Sequence, residues 1–131
     1  MRALIATAAA VLAITTSGAG QSTPPAADPQ WVPVPPILLP DARIRLVAGD
    51  PTGPGPSTVQ LWMPGGYKMP PHSHPSDERV EVVEGALLVG MGDRLDRTKT
   101  LALAAGDTAV APAGIHHFSI AKGPTVVTVS F

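Results

Sequence analysis

The stretch GYKMPPHSHPSDERVEVVEG, residues 66–85, holds two of the chain's four histidines, one residue apart, behind two prolines and ahead of three glutamates. From Glu78 onward it reads as a strand, with charged and apolar residues mixed at short period. On an extended segment His72 and His74, at i and i+2, point to one face. Glu78 shares that parity if the strand continues or bends gently. Two neutral imidazoles and a carboxylate on one face make most of a divalent-metal site. Such a site needs a fourth ligand, or leaves positions open for solvent and substrate.

The rest of the 131-residue chain suits a single small domain. ARIRLVAG sets Arg43 and Arg45 against Ile44 and Leu46, and STVQLWMP, ERVEVVEG, ALLVGMGD, LALAAG, DTAVAPAG, HHFSIAKG and TVVTVSF follow at intervals of about ten residues. Turn-rich pieces such as GDPTGPGPS separate them. The pattern predicts eight or nine short strands in an antiparallel sandwich or barrel, with no amphipathic helix. LALAAG, residues 101–106, is compatible with one helical turn on propensity but is too short to stand as a helix. Arg43 and Arg45 read as an outward face, and Asp93 and Asp96 as solvated turn residues. Gln60 and Trp62 share a strand face and Met91 is expected on a neighbouring strand; core packing is the default for Trp and Met.

The N-terminus carries Arg2, an apolar run from Ala3 to about Thr16, and then small residues. Ser17 and Ala19 suit a signal-peptidase site, so residues 1–19 are expected to be a signal peptide, cleaved near Ala19. The apolar run is shorter than the ~20 residues that span a bilayer. Localisation is then periplasmic or secreted, with no membrane partner once the signal is removed. Ten of the 16 prolines lie between residues 21 and 56, and residues 20–40 read as a proline-rich linker and N-terminal arm ahead of a barrel over 41–131. The formal net charge of -1 points to no nucleic-acid partner. The chain has no cysteine, which excludes a disulfide framework, a thiolate metal site, a cysteine nucleophile and a lipidated cysteine anchor.

The second half supplies a fourth ligand. GDTAVAPAGIHHF places His117 after a Pro112-Ala113-Gly114 turn, at the start of another strand. Two hairpins would then present imidazoles to one interior. Adjacent strand residues face opposite sides, so His116 and His117 cannot both point in. The full spacing is specific: G-x5-H-x-H-x3-E-x6-G at Gly66, His72, His74, Glu78 and Gly85, and G-x5-P-x-G-x2-H at Gly106, Pro112, Gly114 and His117. These two blocks, in this order and 20 residues apart, resemble the two motifs of the cupin superfamily.

The resemblance implies an all-β, antiparallel jelly-roll β-barrel, with His72, His74, Glu78 and His117 as metal ligands on its interior. Gly66 and Gly85 would be turn glycines, and Pro112 and Gly114 would aim His117. One departure stands out: the second motif of the family closes on Asn, and Ala121 occupies that place. The cofactor implied is a divalent metal ion, with Fe, Mn, Ni, Cu and Zn all compatible with the ligand types. The expected function is a small exported metal-binding cupin, with a metal-dependent, dioxygenase-like oxidoreductase acting on a small organic molecule as the leading reading. A non-catalytic cupin that binds or senses a small ligand, and a barrel with a purely structural metal, are the alternatives. Glu84, His116, Tyr67 and Lys68 are the polar residues nominated as acid, base or substrate clamp. The last strand ends at Phe131, so a homodimer completing the pocket wall is also within the expectation.

Overall fold

The structure, a computed structural model, describes residues 30–36 and 38–131. The expected signal peptide and the first part of the proline-rich arm lie outside the described residues. Ten strands appear: β1 (Val32–Pro33), β2 (Arg43–Gly49), β3 (Ser57–Met63), β4 (Lys68–His72), β5 (Glu78–Glu84), β6 (Ala86–Met91), β7 (Leu101–Ala104), β8 (Thr108–Ala111), β9 (His117–Ala121) and β10 (Thr125–Ser130). They form two antiparallel sheets, in the orders β1-β2-β3-β10-β5-β8 and β4-β9-β6-β7. No helix occurs among the described residues, and LALAAG is strand β7 rather than a helical turn, paired with β6 through Leu103 and Leu87.

From β3 onward the chain mostly alternates between the sheets, the jelly-roll pattern. β3, β5, β8 and β10 lie in the six-stranded sheet and β4, β6, β7 and β9 in the four-stranded one. Strand periodicity explains the core between them. Leu61, Met63, Val82 and Val127 face Leu87, Leu103 and Ala121, all nearly inaccessible to solvent. Burying a side chain of this kind contributes about 1.5–3 kcal/mol. With so few aromatics, the sandwich rests on its aliphatic residues.

The outward face of the six-stranded sheet is polar, as the alternation in β2 predicts. Arg45 donates to Gln60 Oε1 at 2.8 Å from Nε and 2.6 Å from Nη2, and Gln60 donates onward to Thr128 at 3.1 Å. Trp31 lies under the Arg45 guanidinium at 4.8 Å. β1 pairs with β2 at the sheet edge, where Pro33 breaks no interior ladder. Gln60 therefore lies outside, away from any pocket. Met91 lies in the other sheet from Gln60 and Trp62, so the expected adjacency of these strands does not occur.

Tight crossings between sheets need special backbone. At Gly85, between β5 and β6, φ is +83°, and an added Cβ would sit 2.4 Å from the Pro124 carbonyl oxygen. Only glycine fits both demands.

Candidate metal centre

Two inter-sheet connections meet at one end of the sandwich. Residues 73–77 carry the chain from β4 to β5, and residues 112–116 carry it from β8 to β9. Each crosses from one sheet to the other, so neither is a hairpin. His74 stands in the first connection, off any strand, and Glu78 opens β5 in the opposite sheet. The shared parity expected of His72, His74 and Glu78 on one continuous strand is therefore not what unites them. Their convergence comes from the crossing.

His72 reaches the interior by a second device. β4 pairs with β9 through Met69↔Ser119 and His72↔His117, three steps on one strand against two on the other. The extra residue is a β-bulge at Pro70–Pro71. Proline has no N–H for a ladder, and an edge strand with a bulge tolerates two in succession. Met69 packs against the core. In a regular strand His72 would face away from it; the bulge turns His72 inward, opposite His117.

One ligand atom from each of His72, His74, Glu78 and His117 lies within 4.8 Å of the others. The His72 and His117 rings are 4.4 Å apart between centroids. Hydrogen bonds fix their tautomers. His72 Nδ1 donates to the Pro70 carbonyl at 2.7 Å, and His117 Nδ1 to the Ile115 carbonyl at 3.1 Å. A carbonyl only accepts, so each Nδ1 carries a proton and each Nε2 is turned into the site. Glu78 Oε2 lies 2.7 Å from His74 Nε2 and 2.9 Å from His117 Nε2. The carboxylate is sheltered, with its side chain 14% exposed.

Burial is the main influence on His74 and holds its imidazole below the ordinary value. The Glu78 charge and its hydrogen bond pull it back up, while His72 and His117 push it further down. Its ring stacks on Phe131, with centroids 5.3 Å apart and planes 11° from parallel. Val80, Val89, Ala109 and Val129 are partly buried against the core. Met91 is paired with His117 on β6 and rises at the rim, half exposed.

The polar residues nominated for proton transfer lie elsewhere. The Tyr67 hydroxyl donates to the Leu39 carbonyl at 2.8 Å, on the far side of β4 from His72. Lys68 is exposed and paired with Ile120, and Glu84 is exposed at the opposite end of β5 from Glu78. His116 ends the β8–β9 connection, is exposed, and its Nδ1 donates to Asp93. Asp93 is thus partnered as well as solvated. Asp96 accepts from the Thr98 amide and hydroxyl, closing its own turn.

Sequence reasoning passed over three contributors. Phe131 carried no signal beyond ending an alternating strand. The Pro70–Pro71 pair was visible but read as a lead-in, although two prolines inside a strand mark a bulge. Asp77 looked like one charge among several, yet its Oδ1 accepts from the Ala113 amide at 2.8 Å.

Three imidazoles and one carboxylate, with two rings locked to offer Nε2, form a group that could hold a metal ion. A sequence model of the cupin domain matches residues 58–131, more than half of the chain and all four of these residues. The chain belongs to the cupin family. Among curated relatives this cupin is 42% identical over 72 residues to Germin-like protein 9-3 of Oryza sativa subsp. japonica, covering 54% of this chain and 34% of the rice protein. It is 33% identical over 82 residues to Germin-like protein subfamily 3 member 3 of Arabidopsis thaliana, covering 60% of this chain and 39% of that one. The chain thus spans little more than a third of the length of these relatives. Among solved structures it resembles an oxalate oxidase at 35% identity and a TM-score of 0.50, over 59% of this chain and 41% of that one. It also resembles KdgF from Halomonas sp. at 26% identity and a TM-score of 0.61, over 77% of this chain and 84% of that one.

Proposed function

We propose that His72, His74, Glu78 and His117 hold one divalent cation, and that this centre works on a small organic molecule as a metal-dependent, dioxygenase-like oxidoreductase. The observation that carries the reading is the convergence of four ligand atoms within 4.8 Å, drawn from both sheets of the sandwich. Closed structural zinc sites favour cysteine, which this chain lacks, whereas mixed imidazole and carboxylate sets more often leave a position open. When bound, the cation would supply Lewis-acid polarisation and, for a redox-active metal, electron transfer.

The chain's own residues do the rest. The Pro70 and Ile115 carbonyls hold the His72 and His117 rings in the Nε2-offering tautomer. Phe131 forms a wall beside His74. Substrates that bring their own acidic hydroxyl suit this site, such as enols, diketones and catechols, since Glu78 is the one carboxylate in the cluster.

The similarity to an oxalate oxidase structure supports redox chemistry as the reaction class. The metal remains one of Fe, Mn, Ni, Cu or Zn. Export directed by residues 1–19, with the barrel over 41–131, would expose the site to metal outside the cytoplasm, where intrinsic affinity favours Cu or Zn. A second reading keeps the same centre as a ligand-binding module without turnover. It is favoured by the location of Glu84, His116, Tyr67 and Lys68, none of which belongs to the cluster.

The test is elemental analysis of the purified protein beside His72→Ala and His117→Ala, followed by O2 uptake with enol, catechol and diketone substrates. Stoichiometric metal in wild type, lost in both variants, is the expected result. Absence of metal under every loading condition sinks the reading, and full metal in both variants sinks the ligand assignment. Metal without O2 uptake moves the protein to the binding reading, and a large drop in Tm on chelation with no ligand bound makes the cation structural.

A further inference from the structure

The two sheets fix separate halves of the centre. The β4–β9 ladder sets His72 against His117, and the β5–β8 ladder sets Glu78 against Ala111. No strand ladder sets Glu78 or His74 against His117, because Glu78 and His117 lie in opposite sheets and His74 lies in the β4–β5 connection. Two hydrogen bonds between the crossing connections make that link. The Gly114 amide donates to the His74 carbonyl at 2.8 Å, and the Ala113 amide donates to Asp77 Oδ1 at 2.8 Å. The first is backbone to backbone. The second depends on one side chain, 36 residues away in sequence from its partner.

We propose that Asp77 is a positioning residue for the metal centre, acting through the Ala113–Gly114 turn to set His117 against His74 and Glu78; this rests on the ligand assignment made above. Asp77 directly precedes Glu78, so its side chain anchors the backbone from which that carboxylate springs. Ala113 and Gly114 sit four and three residues before His117. The bond is an amide to a side-chain oxygen, a role that a carboxylate or a carboxamide oxygen can fill. It holds the geometry only if the acceptor is present; the negative charge itself is not needed.

The test uses the full chain with Asp77→Ala and Asp77→Asn. Co2+ affinity is measured by calorimetric titration, site geometry by electron paramagnetic resonance of the Cu2+-loaded protein, and apo stability by Tm. Partners that orient metal ligands are typically worth 10–100-fold in affinity, so Asp77→Ala should raise the Kd for Co2+ about 10-fold and alter the Cu2+ spectrum. Asp77→Asn retains an acceptor oxygen and should stay within about 2-fold of wild type, with the wild-type spectrum. An Asp77→Ala protein that keeps the wild-type Kd and spectrum overturns the proposal, including where its apo Tm falls, since that marks a tie of the fold alone. Asp77→Asn no better than Asp77→Ala overturns it too. Wild type that binds neither Co2+ nor Cu2+ removes the ligand assignment itself, a failure separate from these.

Discussion

His72 and His117 stand directly opposite each other across β4 and β9, their rings 4.4 Å apart, because a bulge at Pro70–Pro71 adds one residue to β4. Replacing both prolines with valine returns two N–H groups to this strand and favours regular pairing. Residue 71 would then take the place opposite His117, and His72 would turn outward, since a one-residue slip exchanges the two faces. Pro70→Val with Pro71→Val should keep the β-rich circular dichroism of wild type and weaken Co2+ binding about 10-fold or more, the scale on which misoriented ligands act. Unchanged affinity in this double variant would show that the bulge does not depend on the prolines.

Glu78 bridges the imidazole of His74, in the β4–β5 connection, and that of His117, at the start of β9, at 2.7 Å from His74 Nε2 and 2.9 Å from His117 Nε2. Glu78→Gln keeps the shape and removes the charge. A neutral amide is a poor partner for a divalent cation beside imidazoles, so Co2+ affinity should fall by about 100-fold, at least the effect of losing an outer partner. Isothermal titration reads this directly. A change of less than about 3-fold would take Glu78 out of the ligand set.

The protein should lose both stability and metal as pH falls. Burial holds the His74 imidazole below its ordinary value of about 6.5, against the pull of Glu78 and with the push of His72 and His117. As pH drops, the unfolded chain therefore takes up this proton first. The stabilising contribution is intact above about pH 6.5 and is lost as pH falls through the lower folded value. Ligating imidazoles must also be neutral, so metal occupancy declines in the same direction, with loss expected below about pH 6. Tm and bound metal measured from pH 8 to pH 5 check this, with His74→Gln expected to show a shallower stability slope. Stoichiometric metal and an unchanged Tm at pH 5 would contradict it.

The four residues of the candidate site were legible because metal binding would demand particular residue types, and His72, His74, Glu78 and His117 satisfy a long, exact spacing with few chance solutions. The strands were legible because a two-sided sandwich imposes period two, as in β3 and β10. What periodicity does not carry is which sheet a strand joins. His74 and Glu78 have the parity of one strand, yet the chain leaves one sheet and enters the other between them, a choice made by packing over the whole molecule. LALAAG was legible as a strand although its residues also suit a helical turn locally: pairing of Leu103 with Leu87 and burial against the core outweigh that preference. Glu84, Tyr67 and Lys68 were nominated for their chemistry alone, and distance along a strand excludes them.

Phe131 is the remaining support of the site. His72 and His117 are anchored through Nδ1 to backbone carbonyls, whereas His74 is held by its ring, stacked 5.3 Å from Phe131 at 11°. Phe131 is itself pinned, exchanging amide and carbonyl hydrogen bonds with Ser57 at 2.9 and 3.0 Å. An aromatic pair of this kind is worth about 0.5–1.5 kcal/mol beyond the area it buries, or roughly 2- to 10-fold in an equilibrium. Phe131→Ala should therefore free the His74 ring and raise the Kd for Co2+ by about that factor, while Phe131→Trp, which can still stack, should not. The backbone pairing with Ser57 survives both substitutions, so a loss of affinity in Phe131→Ala alone isolates the ring. Equal Kd values in all three proteins would mean that Glu78 and the β4–β5 connection hold His74 without it.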